Sequence, residues 1–533
     1  MTETLIVIAI VIFACVFFQK IAGKTGIPGL FIFLILGMLF GSDGIFKIPF
    51  DDYEFANIFA SIALIFIMFY GGVGTKWSKA KPVAAKAIVL SSVGTILTAF
   101  FVGMFCYLAL EIGILESLLI GSVICSTDAA SVFSILRSKK MNLKYSTASL
   151  IEVESGSNDP FSYMLTVILI SIINGGSSSA FEIIGLLLLQ IVVGLAFGFG
   201  LAYLAKFIFK KVKFNENGFD LALIVGIAII TYALPTILYG NGYLAVYITG
   251  IVLGNSNVIN RKNLFHFFDG LTSIIQLLLF FLLGLLATPS KMPNVIGVSL
   301  LIALFLTFIG RPLAVFISMT LFKAKIKQQA FVAWTGMRGV ASIVFAIMAI
   351  TSITSLNIDV FHIVFFIVLF SILLQGTLLP FVAKKLDMID YEEDVMKTFN
   401  DYLEEVPVQF IQFILPTEHE WVGHKIKDII LPPDSILVLI IRNKERIIPN
   451  GNTKLLSSDI LILSGKDSSK VDGINLYEKV VDETDDFINK KVKDIPVKGK
   501  LIILIKRDNQ VVIPKGETVI YKNDILVIND TKA

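Results

Sequence analysis

Charge is what this sequence has least of. Of its 533 residues only 16% are Asp, Glu, Lys or Arg, against nearer a quarter in a soluble globular protein. The net charge of +3 gives nucleic-acid binding no electrostatic footing. Cys15, Cys106 and Cys125 all lie in apolar runs, which excludes a disulfide framework. His266, His362, His419 and His424 make no metal-ligand pattern. No nucleophile–base constellation supports a hydrolase, so neither an enzyme nor a cofactor is expected. No Gly-x-Gly-x-x-Gly follows a strand, which argues against NAD or ATP sensing.

What is present is apolar. The chain is 55% hydrophobic with mean hydropathy +0.81. Apolar runs follow one another to about residue 386, after which polar residues return. That pattern reads as a polytopic membrane domain followed by a soluble tail. A spanning helix needs about 20 apolar residues. Thirteen such spans are read, centred near residues 11, 36, 63, 98, 125, 159, 195, 226, 248, 277, 307, 341 and 371. The first has no basic leader and no clear cleavage site, so it counts as a span. Alternate loops carry Lys20–Lys24, Lys76–Lys86, Arg137–Lys144, Lys206–Lys213, Arg261–Lys262 and Lys323–Lys327, and the others only Lys47 and Lys291. By the positive-inside rule the N-terminus lies outside and the tail in the cytoplasm.

Polar residues at mid-membrane are costly and mark function. The fifth span reads "GSVICSTDAASVF" and places Thr127 and Asp128 there. The sixth reads "LIEVESGSNDPFSYML", with Glu152, Glu154, Asn158, Asp159 and Pro160. The eleventh holds Gly310–Arg311–Pro312, and the twelfth, "WTGMRGVAS", holds Arg338. At 1.5 Å per residue Glu154, Arg338 and Asp128 each lie about 12 Å from the cytoplasmic side, and Asp159 about 20 Å. Glu154 and Arg338 are thus level enough to form a structural ion pair. Asp159 has no obvious cation of its own. A buried carboxylate in that position holds a proton until a cation replaces it, which is sufficient for exchange. Thr127, Ser155 and Asp128 supply further oxygens, and main-chain carbonyls at the interrupted helices are expected to set much of the selectivity. Glu152 lies nearer the cytoplasm on the same face. The plainer alternative is that Asn158 and Asp159 only hydrogen-bond a helix kinked at Pro160.

The fifth span is interrupted at "CSTDAA" and the twelfth at "TGMRG". They are seven spans apart in the count, an odd step, so they run oppositely. Spans one to six and eight to thirteen then form two inverted halves.

These residues resemble the monovalent cation:proton antiporter-1 family, in its CvrA/NhaP-like potassium or sodium/proton branch. The matching stretches are "STDAASVFSIL", "LIEVESGSNDP", "NGYLAVYITGIVLGN", "FFDGLTSIIQLLLFFLLGLLATP", "GRPLAVF" and "WTGMRGVASIVFAI". The resemblance implies an NhaA-like fold of inverted repeats with crossed broken helices, in a homodimer whose six-helix core slides against a dimerisation domain. It implies that Asp159 serves both proton and cation, with Thr127 and Ser155 coordinating the ion beside Asp128. It also implies that Asn158 and Asp128 organise the crossover, and that Glu154 pairs with Arg338. Asn-Asp in place of Asp-Asp, and no lysine in the tenth span, imply electroneutral one-for-one exchange. Asp269 and Gln276 in that span read as packing or gating groups. The implied location is a bacterial cytoplasmic membrane.

The membrane domain is read as residues 1–386 and a charged linker as 387–402. In the tail, "HKIKDI" recurs as "KKVKDI", "IIPNGNT" as "VIPKGET" and "DILIL" as "DILVI", at an offset of 65 to 66 residues. Two compact α/β modules are therefore expected, 403–468 and 469–533. Each resembles the TrkA C-terminal (RCK-C) domain, which implies a ligand-sensing dimer. A small nucleotide regulator, such as a cyclic dinucleotide, stays open beside a purely structural dimerisation tail. Three other functions compete, one of them a transporter for organic solutes, which would want aromatic or basic groups at its midplane site where this set is small and oxygen-rich. A potassium channel needs four filter loops, and "SSVGTI" and "YGNGYL" are only fragments of one. A non-transporting osmotic or ion sensor would share the same membrane pattern.

Overall fold

The computed structural model describes residues 9–18, 29–139, 141–176, 179–212, 218–256, 261–354 and 356–390, then 408–432, 435–442, 445–466, 476–482, 485, 487–495, 500–507, 510–512 and 514–530. The chain divides into two compact units, Met1–Glu405 and Val406–Ala533. The linker read at 387–402 lies largely outside the described residues.

The first unit is helical. Its main helices are α1 (Ala9–Phe18), α2 (Gly29–Phe40), α3 (Tyr53–Gly74), α4 (Ala84–Leu110), α5 (Ile114–Ile124), α6 (Ala129–Ser138) and α7 (Thr147–Ile173). There follow α8 (Ala180–Lys211), α9 (Phe219–Ile237), α10 (Gly242–Gly254), α11 (Arg261–Leu286), α12 (Val295–Thr320), α13 (Ile326–Trp334), α14 (Val340–Ser352) and α15 (Val360–Lys385). Each of the thirteen expected centres falls on a helix or at the break of a helix pair. By length and composition, seven described helices can cross a membrane, or eight with the bent pair α5–α6. The others are short, or, like α7, carry several carboxylates.

Local chemistry explains where helices start. Asp52 caps α3 by accepting from the Phe55 N–H at 2.8 Å, and Asn241 caps α10 through the Leu244 N–H at 2.9 Å. Three spans contain a π-turn, at Leu90–Gly94, Leu306–Gly310 and Ser371–Gly376. Several helix pairs touch backbone to backbone, α2–α11 and α3–α10 among them. A Cβ on Gly37 of α2 would meet the Phe281 carbonyl oxygen at 2.1 Å and Gly284 Cα of α11 at 2.8 Å. On Gly72 of α3 it would meet the Tyr247 carbonyl oxygen at 2.4 Å and Gly250 Cα of α10 at 3.0 Å. Small residues are what permit such approach in a membrane domain.

A two-stranded ladder pairs β1 (Asn142–Leu143) with β2 (Ile389–Asp390) in the helical unit. The tail is built differently from the α/β modules expected. Its first module is an antiparallel sheet of β3 (Val408–Ile414), β4 (Ser435–Arg442), β5 (Glu445–Ile447) and β6 (Ile460–Lys466), in the order β3-β6-β4-β5. The second repeats it with β7 (Leu476–Val480), β8 (Lys500–Arg507), β9 (Gln510–Val512) and β10 (Ile525–Asp530), in the order β7-β10-β8-β9. Among the described residues neither module has an α-helix. The repeated "KIKDI" and "KVKDI" form only single 3₁₀ turns, Ile426–Asp428 and Val492–Asp494. The N–H groups of Lys427 and Lys493 donate to the Gly451 and Gly516 carbonyls, which ties those turns to the loop rather than into a helix. The repeat itself is faithful: Arg442 grips Asp459, and Arg507 grips Asp524, through Nε and Nη2.

Candidate functional site: the helix crossing and its cavity

Two helices break at the same place. α5 and α6 bend by 41° around residues 125–128, and α13 and α14 part around residues 336–339. Their unwound stretches meet: the Asp128 N–H donates to the Met337 carbonyl at 2.7 Å. A Cβ on Gly339 would stand 2.5 Å from Asp128 Cβ, so only glycine fits there.

Both helix ends at the first break find a partner of the right sign. Arg338 Nη1 donates to the carbonyls of Cys125 (2.8 Å) and Ser126 (2.5 Å), at the C-terminal end of α5. Asp128 caps α6: Oδ1 accepts from the Ala130 N–H at 2.9 Å, and Oδ2 accepts from Ser131 Oγ at 2.6 Å. Cation at the C-terminus and anion at the N-terminus both oppose the helix dipole. Ser371 on α15 holds the Arg338 main chain by accepting its N–H at 2.9 Å.

The expected Glu154–Arg338 pair is not made. Glu154 Oε1 instead receives Arg311 Nη2 at 2.9 Å, both side chains being buried. Arg338 is drawn away by the carbonyls that the broken helix leaves without donors. Depth placed Glu154 and Arg338 at one level, but depth says nothing of azimuth. Arg311 follows a π-turn in α12 and runs beneath Gly336, whose Cβ would meet Arg311 Nε at 2.9 Å.

Asn158 joins these parts. Its Nδ2 donates to Thr127 Oγ1 at 2.6 Å and to Glu154 Oε1 at 3.0 Å, and its Oδ1 accepts from the Thr127 N–H at 3.3 Å. Ser155 Oγ donates to the Thr127 carbonyl at 2.6 Å and accepts from the Ala129 N–H at 2.9 Å. The carbonyls of Cys125, Ser126, Thr127 and Met337 therefore each accept a protein donor. Each such carbonyl keeps a second lone pair beyond that bond.

Not every polar atom here is matched: Nε and Nη2 of Arg338 and Nε and Nη1 of Arg311 are buried without a hydrogen-bond partner, and so is Oδ1 of Asp159. Asp159 lines a cavity of about 290 Å³ together with Ser126, Thr127, Asp128 and Ser155. Glu152 lines the same cavity, whose other wall comes from α3 and α11 through Tyr70, Asp269, Thr272 and Gln276. Tyr70 Oη donates to Asp269 Oδ1 at 2.6 Å. The cavity thus gathers Asp159, Asp128, Thr127 and Ser155, while Asn158 sits behind it as a brace and Glu154 and Arg338 do not touch each other. Sequence reasoning flagged Arg311 without finding its partner, and missed Ser126 and Ser371. One signal for Arg311 was available: a second arginine inside an apolar run also needs a buried counter-charge, and Glu154 is the carboxylate it meets.

Such a site combines a buried carboxylate, hydroxyl oxygens and interrupted helices. The comparisons with known proteins agree with that chemistry. Residues 6–385 match the family described as sodium/hydrogen exchanger, transmembrane, and residues 410–470 and 476–528 each match the TrkA-C domain. The K(+)/H(+) antiporter NhaP of Alkalimonas amylolytica is 31% identical over 464 residues, 86% of this chain and 81% of that one. The Na(+)/H(+) antiporter 1 of Methanocaldococcus jannaschii is 29% identical over 350 residues, 62% of this chain and 79% of that one. A solved structure of the sodium proton antiporter MjNhaP1 from that organism, at pH 8, superposes with TM-score 0.63 and 25% identity, covering 72% of this chain and 99% of its own.

Proposed function

The chain belongs to the sodium/hydrogen exchanger family and carries paired TrkA-C domains, and from that premise we propose that it exchanges potassium, or sodium, for protons across a bacterial cytoplasmic membrane. One observation carries the reading: a buried carboxylate oxygen of Asp159, without a partner, faces a cavity beside two crossing helix breaks. Proton and cation compete for that carboxylate. Thr127, Ser155 and Asp128 lie on the same cavity and add oxygens to the cation's shell. Alternating access then presents Asp159 to one side of the membrane at a time.

Asn158 supports one-for-one exchange. It is an amide engaged on both sides, so it adds no second exchangeable proton. Potassium is favoured because the relatives named for it align over more residues (464) than the 405 of the membrane unit, reaching into the tail. The sodium-named relative aligns over 350. The thirteen spans, the two inverted halves, the outer N-terminus and the cytoplasmic tail belong to the same proposal, resting on the alternation of basic loops. So do a homodimer and a tail that answers to a small nucleotide.

The test is cation-driven dequenching of a pH dye in proteoliposomes, comparing potassium with sodium, for wild type and Asp159→Asn. Proton movement with either ion, abolished in a folded Asp159→Asn, supports the reading. Full exchange by Asp159→Asn overturns the assignment of the site. No exchange by wild type with either ion overturns the function.

A further inference from the structure

Four aromatic rings pack together beyond Asp159, and the exchange chemistry uses none of them. On the orientation given by the basic loops, α7 runs outward, so Pro160 and Tyr163 stand further out than Asp159. α9 also runs outward and α10 runs back from its end, which puts Tyr232 and Tyr243 at the outer level too. Phe345 is on α14, which leads outward from the crossing. Tyr163 and Tyr243 meet with ring centroids 4.9 Å apart and Tyr232 and Tyr243 with 4.8 Å, while Phe345 closes on Tyr163 at 6.0 Å. Tyr163, Tyr243 and Phe345 are buried.

The cavity reaches Asp159 from the opposite direction. Away from the crossing it is lined by Glu152 early in α7, Tyr70 toward the end of α3 and Asp269 early in α11. Those are the helix ends next to Arg137–Lys144, Lys76–Lys86 and Arg261–Lys262, the basic and hence inner loops. Among the described residues that line the cavity, none is one of the four rings.

Asn241 fastens the same region. Its Nδ2 donates to the carbonyl of Pro160, the residue after Asp159, at 2.8 Å, while its N–H donates to the Gln190 carbonyl of α8 at 3.1 Å. α10 itself is seated on two other helices. A Cβ on Gly254 would meet the Val73 carbonyl oxygen of α3 at 2.4 Å, and Thr249 Oγ1 donates to the Gly198 carbonyl of α8 at 2.8 Å. α7 is tied instead to the crossing, through Asn158 and Ser155. The amide and the rings therefore join the crossing to the α3–α8–α10 block on the outer side of Asp159. We propose that Asn241 and the four rings are the outer seal of the site: closed, they leave Asp159 open to the cytoplasm alone. For Asp159 to face outward, the Asn241–Pro160 bond must break and the rings must part. The direction and purpose of the seal rest on the exchange reading.

The test is the accessibility of the cavity from each side of the membrane. Ser273 is exposed on the cavity wall and lies about 18 Å from the inner end of α11, near the level of Asp159. Ser273→Cys, in the full chain with its three buried cysteines replaced by alanine, is labelled by a membrane-impermeant trimethylammonium methanethiosulfonate. Intact cells present the outer side and inverted vesicles the inner. In Asn241→Ser the hydroxyl still caps α10 but is too short to reach Pro160. Labelling from outside should rise about three- to tenfold, the loss of one hydrogen bond, and labelling from inside should not rise. Unchanged labelling from outside, or an equal rise from both sides, overturns the seal. So does a chain with Asn241 intact that is labelled faster from outside than from inside. Should Asn241→Ser fail to fold, Tyr232→Leu, which thins the rings at their half-buried edge, is read in the same way. A one-sided rise in a protein that transports nothing supports the seal and removes the exchange reading. Exchange with labelling unmoved does the reverse.

Discussion

Arg311 and Glu154 meet through one Nη2–Oε1 contact of 2.9 Å, with no more than 2% of either side chain exposed. Asn158 completes the carboxylate by donating to the same Oε1. The pair ties α12 to α7 directly below the crossing, while Arg338 serves the carbonyls of α5.

Breaking the pair from one side strands a buried charge. Glu154→Gln is expected to cost about 3–5 kcal/mol, read as a lower melting temperature in detergent. Adding Arg311→Met should recover much of it. A double-mutant cycle between Glu154 and Arg311 should give a coupling of roughly 1–3 kcal/mol. The same cycle between Glu154 and Arg338 should give less than about 0.5 kcal/mol. The reverse order would restore the pairing that depth alone suggested.

Asn158→Asp replaces a donor by an acid. It loses the bonds to Thr127 Oγ1 and Glu154 Oε1, and stability should fall by about 1–3 kcal/mol. On a solid-supported membrane, a cation gradient should drive no net current through the wild type. Whatever exchange Asn158→Asp retains should carry current. A wild-type current would exclude one-for-one stoichiometry.

Asp128 and Gly339 are tested by geometry. Asp128→Asn keeps an oxygen for the cap of α6 and should be close to neutral for folding, whereas Asp128→Ala should cost about 1 kcal/mol. Gly339→Ala drives a methyl into Asp128 Cβ and should cost about 1–3 kcal/mol. A melting temperature equal to wild type for Gly339→Ala would show that the crossing can loosen without penalty.

The tail should be sensitive to acid. Burial pushes the Asp459 carboxyl up, but the Arg442 guanidinium and the Leu456 N–H outweigh it and hold it below its usual value. Arg507 and the Tyr521 N–H do the same for Asp524. A carboxyl lowered in the folded state stabilises fully above its unfolded pKa, about 3.9, and loses that contribution as pH falls through the folded value. Unfolding of the sheets, followed by Trp421 fluorescence in a Trp77→Phe/Trp334→Phe background, should begin only below about pH 4. Arg442→Gln should move that onset upward. An onset unmoved by Arg442→Gln would show that the bidentate pair contributes nothing to the fold.

The sequence made some of this legible, for a physical reason in each case. Asp128, Asp159 and Arg338 stand out because charge inside apolar runs has few innocent explanations, and glycine beside Arg338 marked the break. The partner of Glu154 was not legible, because a helix rotates its side chains about an axis that hydropathy cannot see. Neither was the occupation of the carbonyls of Cys125 and Ser126, since main-chain acceptors leave no trace in residue identity. In the tail the offset between repeats gave the modules. That their described residues form no α-helix was hidden because "KIKDI" has helical residues but too few of them for more than a single 3₁₀ turn.

The contacts of Gly37 with α11 and of Gly72 with α10 have a mechanical meaning. Where main chain rests on main chain, no side chain can change rotamer to absorb a displacement, and a slip of one residue would drive a Cβ into a carbonyl. α2 and α11 are therefore geared together, as are α3 and α10. A displacement of one helix in either pair is carried whole by the other, as one rail of a track carries its fellow, because within each pair there is nothing soft enough to slide.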